Sequence, residues 1–406
     1  MDVFQEALIA ANRKEYGRDY DFLQFSTVEQ AAAAHAERAG LLVWLRENAE
    51  FGCCDTKVDC RGLSPGCSSC ATGSWSCLFI NGRCNVSCFY CPTSQDETEG
   101  PLSNGILFAT PEDYAEYVAL FEFSGVSVSG GEPLLTLDRT LAYLSAVRRR
   151  CGNAVHLWMY TNGTLLTKDN VSELQDAGLD EIRFDIGASN YDLARLHLAV
   201  GVIPTVTVEI PAVPEEELLL RNKLVEMAAA GVKHLNLHQM RLTPHNFRHL
   251  AGRAYTFVHG EKVTVLESEL TALRLVRYAI ERGIDLPINY CSFPYKRRYQ
   301  HAAARSRGIR FIQAGHETAT EAGYLRSIDA GNVQYFEAVT LPCGNNRQPG
   351  FEISLPSGQQ IIVEKRPVSP LMPVDTSLFD DFYRQAELPD ELLRFERITI
   401  GLAEYF

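Results

Sequence analysis

Short apolar segments alternate with longer amphipathic segments along the middle of the sequence. The amphipathic segments have a helical pattern and end at a glycine, as at Gly152, Gly178, Gly231 and Gly283. The short segments are rich in β-branched and aromatic residues and are predicted strands: 76–81, 125–129, 155–160, 180–186, 204–210, 233–240 and 287–291. Alternating strands and helices predict a parallel sheet, either doubly wound or a complete or partial β/α barrel.

Side-chain alternation within these strands helps to distinguish a doubly wound sheet from a β/α barrel. In 180–186 the apolar positions alternate with Glu181, Arg183 and Asp185, and 204–210 repeats the pattern. A doubly wound sheet is covered by helices on both faces and is therefore apolar on both. One polar face favours an open, partial β/α barrel whose lumen holds a polar ligand. A sheet with helices on one side only would give the same pattern.

The chain divides into three predicted parts. Residues 1–75 form a helical and Cys-rich N-terminal segment, 76–291 form the barrel, and 292–406 form a C-terminal α+β extension. In the extension, ISLPSGQQIIVEK is typical of a hairpin, and a helix-rich tail follows it.

Composition narrows the function classes. Of the 406 residues, 46% are hydrophobic and 22% charged, which excludes a disordered or fibrous chain. The net charge of −13 argues against general nucleic-acid binding. The basic run Lys296, Arg297 and Arg298 is interpreted as a solvated helical face. The N-terminus lacks the pattern of a signal or transit peptide, and no apolar run approaches the about 20 residues of a membrane span, so we expect a cytoplasmic protein without a membrane partner.

Nine of the twelve cysteines lie between Cys53 and Cys91. In a reducing compartment such a density indicates metal or redox chemistry rather than disulfides. Cys84, Cys88 and Cys91 have the spacing C-x3-C-x2-C in the loop after the first predicted strand. Three thiolates from one loop can hold three corners of an iron–sulfur cube and leave the fourth iron open. A structural zinc site is the alternative.

Three motifs in order resemble the radical S-adenosylmethionine (SAM) superfamily. The cysteine loop is followed by GGEP at 130–133 after the second strand and YTNG at 160–163 on the third. The resemblance covers about residues 76–291. Within the superfamily, SPGCSSC through SWSCLFINGRCNVSCFYCP resembles the group similar to pyruvate formate-lyase activating enzymes, which implies no particular substrate.

The resemblance implies a [4Fe-4S] cluster on Cys84, Cys88 and Cys91, with SAM chelating the open iron through its amino and carboxylate groups. One electron, from a donor such as flavodoxin or ferredoxin, then cleaves SAM to methionine and a 5′-deoxyadenosyl radical. That radical abstracts hydrogen from a small-molecule or peptide substrate in the lumen. Other functions remain open: a glycyl-radical activase, a cobalamin-assisted methyltransferase, or a non-catalytic iron–sulfur or zinc scaffold.

Each portion of SAM has candidate partners. The backbone amides of Gly130 and Gly131, next to Glu132, are expected to approach the methionyl group, and Arg183 is expected to pair with its carboxylate. The remaining candidates are Ser129, Thr161 and Asn162 for the ribose, Phe89 or Tyr90 for the adenine, and Glu209, Asp185, His234 and His238 for substrate contact or proton transfer.

The cysteines upstream predict a second metal centre. Cys60, Cys67, Cys70 and Cys77 are the expected ligands of an auxiliary [4Fe-4S] cluster, which would serve electron transfer or substrate ligation. Structural zinc is the alternative metal. Cys67, Cys70 and Cys77 are the firmer members, and the fourth ligand could also come from Cys53, Cys54 or Cys291.

Overall fold

Seven parallel strands form the centre of the fold, and each pairs with the next along the chain. The computed structural model describes residues 3–95, 100–329, 332–343, 349–370, 394–398 and 401–406. The parallel strands are β1 (Trp75–Asn81), β2 (Gly125–Gly130), β3 (His156–Thr161), β4 (Glu181–Phe184), β5 (Thr205–Pro211), β6 (His234–His238) and β7 (Ile288–Cys291). All seven predicted strands are therefore confirmed, with ends that differ from the prediction by at most two residues.

A short antiparallel hairpin flanks each end of this parallel array. Lys57–Val58 pairs with β7 and with Phe51–Gly52, whereas Leu102–Ser103 pairs with β1 and with Ile106–Leu107. In the described part of the chain the two hairpins are the edges of one sheet. The architecture is the expected open β/α barrel.

Helices alternate with the strands and begin where the sequence contains capping residues. Thr110 accepts a hydrogen bond from the Asp113 amide, and Pro111 occupies the first turn. Gly152, Gly178, Gly231 and Gly283 all have positive φ, as expected of helix C-termini. The α-helices are α1 (Val3–Tyr16), α2 (Val28–Asn48), α3 (Pro65–Ala71), α4 (Pro111–Leu120), α5 (Leu137–Cys151), α6 (Lys168–Asp176), α7 (Glu217–Ala230), α8 (Phe247–Ala251), α9 (Leu266–Glu281) and α10 (His301–Ile309).

The core lies between the outer face of the sheet and these helices. Ile182, Val208 and Leu235 on this face are fully buried and belong to one continuous apolar cluster. Burying each such side chain contributes about 1.5–3 kcal/mol. No helix in the described part of the chain combines the length and apolar character that crossing a bilayer requires.

The lumen is partly filled by the chain itself. Near the amino ends of the strands, Gly66 at the start of α3 donates its amide to Glu181 Oε2 at 3.3 Å, and Arg183 Nη2 donates to Ser64 Oγ at 2.9 Å. A Cβ on Gly66 would lie 2.4 Å from Arg183 Nη2, so a larger residue here would have to displace the Arg183 guanidinium. Part of the polar lumen face, expected to hold a ligand, therefore binds α3 instead.

The C-terminal extension contains a five-stranded antiparallel sheet. Its strands are Thr318–Ala319, Leu325–Asp329, Asn332–Pro342, Gly350–Ser354 and Gln360–Val368. The last two form the predicted hairpin. The predicted helix-rich tail falls largely on residues 371–393, outside the described residues.

Candidate active site

A cavity of about 340 Å³ opens at the carboxyl ends of the parallel strands. This is the end of a β/α barrel where loops carry catalytic groups. Most of the residues singled out from the sequence line it: Cys84, Cys88, Tyr90, Cys91, Ser129, Gly130, Gly131, Thr161, Asn162, Arg183, Asp185, Glu209 and His238.

The cysteine loop brings three thiols to one side of this cavity. Burial raises the pKa of Cys88 to about 12, and the charges of Asp185, Cys91 and Cys84 add to the effect. Asn162 Nδ2 lies 3.8 Å from Cys84 Sγ. A thiol that is protonated in the absence of metal becomes a thiolate when it coordinates one. Three such soft donors therefore fit a [4Fe-4S] cluster in which one iron has no protein ligand. In the described residues, no three His, Cys, Asp or Glu side chains converge as ligands of one metal ion.

The two glycines of GGEP allow close contact between backbones. A Cβ on Gly131 would lie 1.8 Å from Arg83 O, and one on Gly130, whose φ is +134°, would lie 2.2 Å from Asn81 O. The Gly131 amide donates to Asn81 O at 3.0 Å. The expected contact between this amide and the methionyl group is therefore not supported. The glycines instead let the end of β2 pack against the segment that leads into Cys84.

Glu132 ties this motif to the next strand. The carboxylate is fully buried and accepts hydrogen bonds from the Leu134 amide at 3.0 Å, Thr161 Oγ1 at 2.8 Å and the Asn162 amide at 2.8 Å. Burial raises the pKa of Glu132, and these donors partly offset that rise. Glu132 thus positions GGEP against YTNG, and the Thr161 hydroxyl predicted to face the ribose is used in that contact.

Arg183 is buried and its donors are engaged within the protein. Nε donates to Glu181 Oε1 at 2.8 Å, Nη1 to Glu209 Oε2 at 2.7 Å, and Nη2 to Ser64. Two carboxylates already neutralise the guanidinium, so its predicted pairing with the SAM carboxylate is not supported. Glu181 lies two residues before Arg183 on β4, and Glu209 lies on the adjacent β5, two residues beyond Thr207, which pairs with Arg183.

Three ionisable side chains, those of Lys296, His238 and Glu209, lie in close succession across the cavity. Lys296 Nζ lies 2.5 Å from His238 Nδ1, and His238 Nε2 lies 2.7 Å from Glu209 Oε1. Burial lowers the pKa of Lys296, and burial together with the Lys296 charge lowers that of His238. Burial opposes ionisation of Glu209 as well, but Arg183 and His238 outweigh it and lower its pKa. A neutral His238 can therefore accept a hydrogen bond from Lys296 at Nδ1, while its Nε2 lies close to Glu209 without the geometry of a hydrogen bond.

Lys296 is the residue that sequence reasoning missed. It was interpreted as part of a solvated helical face, yet it lines the cavity. Its neighbour Arg298 pairs with Glu261. The signal that would have found Lys296 is its position five residues after the end of β7, on the side of the barrel where catalytic loops lie.

Tyr90 and Asp185 form a second polar contact. The Tyr90 hydroxyl donates to Asp185 Oδ1 at 2.8 Å, and burial raises the pKa of Asp185 to about 6. Of the two aromatic residues proposed for the adenine, Tyr90 lines the cavity. Phe89 instead packs against Arg253, whose guanidinium carbon lies 3.6 Å from the centroid of the Phe89 ring.

Comparison with known proteins identifies the family. Residues 78–209 match the Radical SAM superfamily. A Methanocaldococcus jannaschii protein, whose name provisionally assigns it as a glycyl-radical enzyme activating enzyme, is 31% identical over 277 residues, covering 65% of this chain and 72% of that protein. The chain belongs to the radical SAM superfamily.

More distant relatives of this radical SAM protein match a smaller share of its chain. A GTP 3′,8-cyclase of Synechococcus is 32% identical over 132 residues, 31% of this chain and 36% of the cyclase. Streptococcus suis SuiB bound to precursor peptide SuiA is 11% identical with a TM-score of 0.38, over 52% of this chain and 47% of that one. The chain thus spans about a third of the cyclase and about half of SuiB, and such partial likeness carries no assignment of substrate.

Membership establishes the cofactors. The protein is a radical SAM enzyme that uses a [4Fe-4S] cluster and SAM. The cluster ligands remain the predicted Cys84, Cys88 and Cys91, which are the three cysteines of the motif loop and share one wall of the cavity.

The upstream cysteines of this radical SAM enzyme do not all lie together. Cys67 and Cys70 on α3 lie near Cys291, around the side chain of Lys57. Cys60 lies near Cys53 and Cys291, whereas Cys54 is exposed. Cys77 is separate, facing the hydroxyls of Ser127 and Ser129. His234, at the amino end of β6, packs near Gly62 rather than in the cavity.

Proposed function

We propose that this radical SAM enzyme reductively cleaves SAM and abstracts a hydrogen atom from a polar small-molecule or peptide substrate in the 340 Å³ cavity. One observation carries the proposal: the three motif cysteines and the Lys296–His238–Glu209 chain line the same cavity. A cluster site alone would need no acid–base chain beside it.

The chain's own residues have distinct parts in this proposal. When bound, the cluster and SAM supply a 5′-deoxyadenosyl radical as the hydrogen-abstracting species. Gly131 and Glu132 fix the cysteine loop against β2 and β3. Tyr90 and Asp185 provide an aromatic surface and a carboxyl group beside that loop.

Glu209, His238 and Lys296 are proposed to bind the substrate and to hold a proton near it. The cavity wall offers both a carboxylate and an ammonium group, which favours a substrate that carries both charges or several hydrogen-bonding groups. A neutral His238 between them can accept or release a proton near neutral pH when a substrate alters its surroundings.

Hydrogen transfer from substrate tests this proposal. The reconstituted enzyme, SAM and dithionite are incubated with a small-molecule and peptide extract of cells grown in deuterated medium. We expect deuterium in 5′-deoxyadenosine with the wild type, and less of it with Glu209→Gln while unlabelled cleavage continues. Formation of 5′-deoxyadenosine that never acquires deuterium from any fraction would overturn hydrogen abstraction from such substrates.

A glycyl-radical activase is the second candidate. The name of the M. jannaschii relative supports it, since that protein covers 65% of this chain. In this case the substrate is a glycine of a partner protein. An electron paramagnetic resonance (EPR) signal of a glycyl radical, formed in a candidate partner only with enzyme and SAM, would favour this function over the first.

A further inference from the structure

Lys57 is a buried lysine whose charge is countered by sulfur. It is 1% exposed, and its Nζ donates to Asn289 Oδ1 at 2.8 Å and to Cys291 Sγ at 3.0 Å. The sulfurs of Cys291, Cys67 and Cys70 lie around this ammonium. A buried ammonium requires a negative partner, because desolvating an unpaired charge is very costly.

Neutral donors also point at these sulfurs. Asn289 Nδ2 lies 3.8 Å from Cys67 Sγ and 3.6 Å from Cys291 Sγ, so a single amide lies next to both. A neutral thiol is a weak acceptor and gains little from such neighbours. Sulfur ligands of an iron–sulfur cluster carry negative charge and are characteristically hydrogen-bonded.

The third sulfur has the same kind of surroundings. Gln300 Nε2 lies 2.9 Å from Cys70 Sγ, and the Tyr295 hydroxyl lies 3.4 Å from it. Both donors come from the π-helical turn Tyr295–Gln300 that follows β7. Cys70 and Cys291 are thus surrounded by donors suited to a thiolate, whereas Cys67 has both the Asn289 amide and the Asn236 Oδ1 acceptor, at 3.6 Å, beside it.

Three separate elements bring the cysteines together. Cys67 and Cys70 are three residues apart and share one face of α3, while Cys291 ends β7. The hairpin that carries Lys57 pairs with β7 and brings Cys53 and Cys60 into the vicinity of Cys291. Gly52 makes room for Cys60, whose sulfur would lie 3.0 Å from a Cβ there.

We propose that Cys67, Cys70 and Cys291 bind a second [4Fe-4S] cluster, completed by Cys53 or Cys60, with Lys57 as its buried charge partner. A four-iron cluster held by four thiolates has a net negative charge, which supplies the partner that Lys57 requires. Cys291 thereby takes the place expected for Cys77, whose neighbours are Ser127 and Ser129. The inference goes beyond the proposed function and does not depend on SAM cleavage.

Iron analysis in a background without the first cluster tests the ligand set. In the Cys84→Ala, Cys88→Ala, Cys91→Ala triple variant, anaerobic reconstitution should leave about four irons and four sulfides per chain, with an EPR signal on reduction. Adding Cys291→Ala should remove most of this iron. Adding Cys77→Ala is the matched control and should leave it unchanged, and separate Cys53→Ala and Cys60→Ala changes identify the fourth ligand.

Lys57→Met separates a cluster defect from a folding defect. It keeps every cysteine and the length of the side chain but removes the charge, so iron should be retained and the midpoint potential should become more negative. Circular dichroism monitors the fold of each variant. Zinc in place of iron, no metal in the triple variant, loss of iron with Cys77→Ala but not with Cys291→Ala, or an unchanged potential in Lys57→Met would each overturn the proposal.

Discussion

Gly131→Ala should uncouple the cysteine loop from the rest of the site. The new Cβ would lie 1.8 Å from Arg83 O and 2.9 Å from the Cys84 amide nitrogen, whereas real Cβ atoms essentially never approach within 3.0 Å of such atoms. Both contacts are backbone, so no side-chain rotation relieves them. The segment that leads into Cys84 must move by more than about 1 Å, and a displacement of that size at reacting groups costs on the order of 10²-fold in rate.

The assay is iron content and 5′-deoxyadenosine formation from SAM with dithionite, measured anaerobically. We expect Gly131→Ala to bind less iron at the first site and to cleave SAM about 10²-fold more slowly than the wild type. Gly40→Ala is the matched control, because nothing lies within 4 Å of a Cβ there and α2 should gain up to about 1 kcal/mol. Wild-type iron content and cleavage rate in Gly131→Ala would refute the packing argument.

Three further predictions concern the buried acids and the lysine. Glu132→Gln puts an NH2 group in place of one carboxylate oxygen, and the two carboxylate oxygens together accept from two amides and a hydroxyl. We expect the free energy of unfolding in anaerobic urea titration to fall by about 1–3 kcal/mol. An unchanged midpoint would contradict the positioning role. Burial raises the pKa of Asp185 from 3.8 to about 6, so the native state holds this proton more tightly than the unfolded state and loses about 3 kcal/mol of stability as pH rises from about 4 to about 6. Asp185→Asn cannot lose this proton, so the free energy of unfolding of the variant minus that of the wild type should rise between about pH 4 and pH 6. A difference that stays constant with pH would contradict the raised pKa of Asp185. Lys296→Met removes a positive charge beside His238, so the pKa of His238 should rise in a nuclear magnetic resonance titration; no change would contradict the contact.

Much of the fold follows from local patterns. The alternation of Ile182 and Phe184 with Arg183 and Asp185 reports which face of β4 meets helices, because side-chain period two is intrinsic to a strand. The spacing of Cys84, Cys88 and Cys91 is equally local, since one loop supplies all three.

The errors concern contacts between residues far apart in the chain. Arg183 looked available for SAM because nothing nearby in sequence shows that Glu209 and Ser64 reach it. The lumen was predicted to hold a polar ligand alone, because no local pattern places α3 inside it. Lys296 has the same sequence context whether its side chain meets solvent or His238, so only the tertiary arrangement decides.

The ligand set of the second centre has the same limitation. Cys77 lies closer in sequence to Cys67 and Cys70, but Cys291 lies closer to them in the structure because β7 and α3 meet around Lys57. Spacing identifies cysteines supplied by one loop, whereas a centre assembled from several elements depends on their packing.

Reductive SAM cleavage by single and combined variants of the cysteine loop tests the central claim most directly. The reconstituted wild type with dithionite should form 5′-deoxyadenosine and methionine in equal amounts, and the Cys84→Ala, Cys88→Ala, Cys91→Ala variant should form neither above background. Cys151→Ala, at the end of α5, should cleave SAM at the wild-type rate. Cleavage that persists in the triple variant would contradict the assignment of the cluster to this loop.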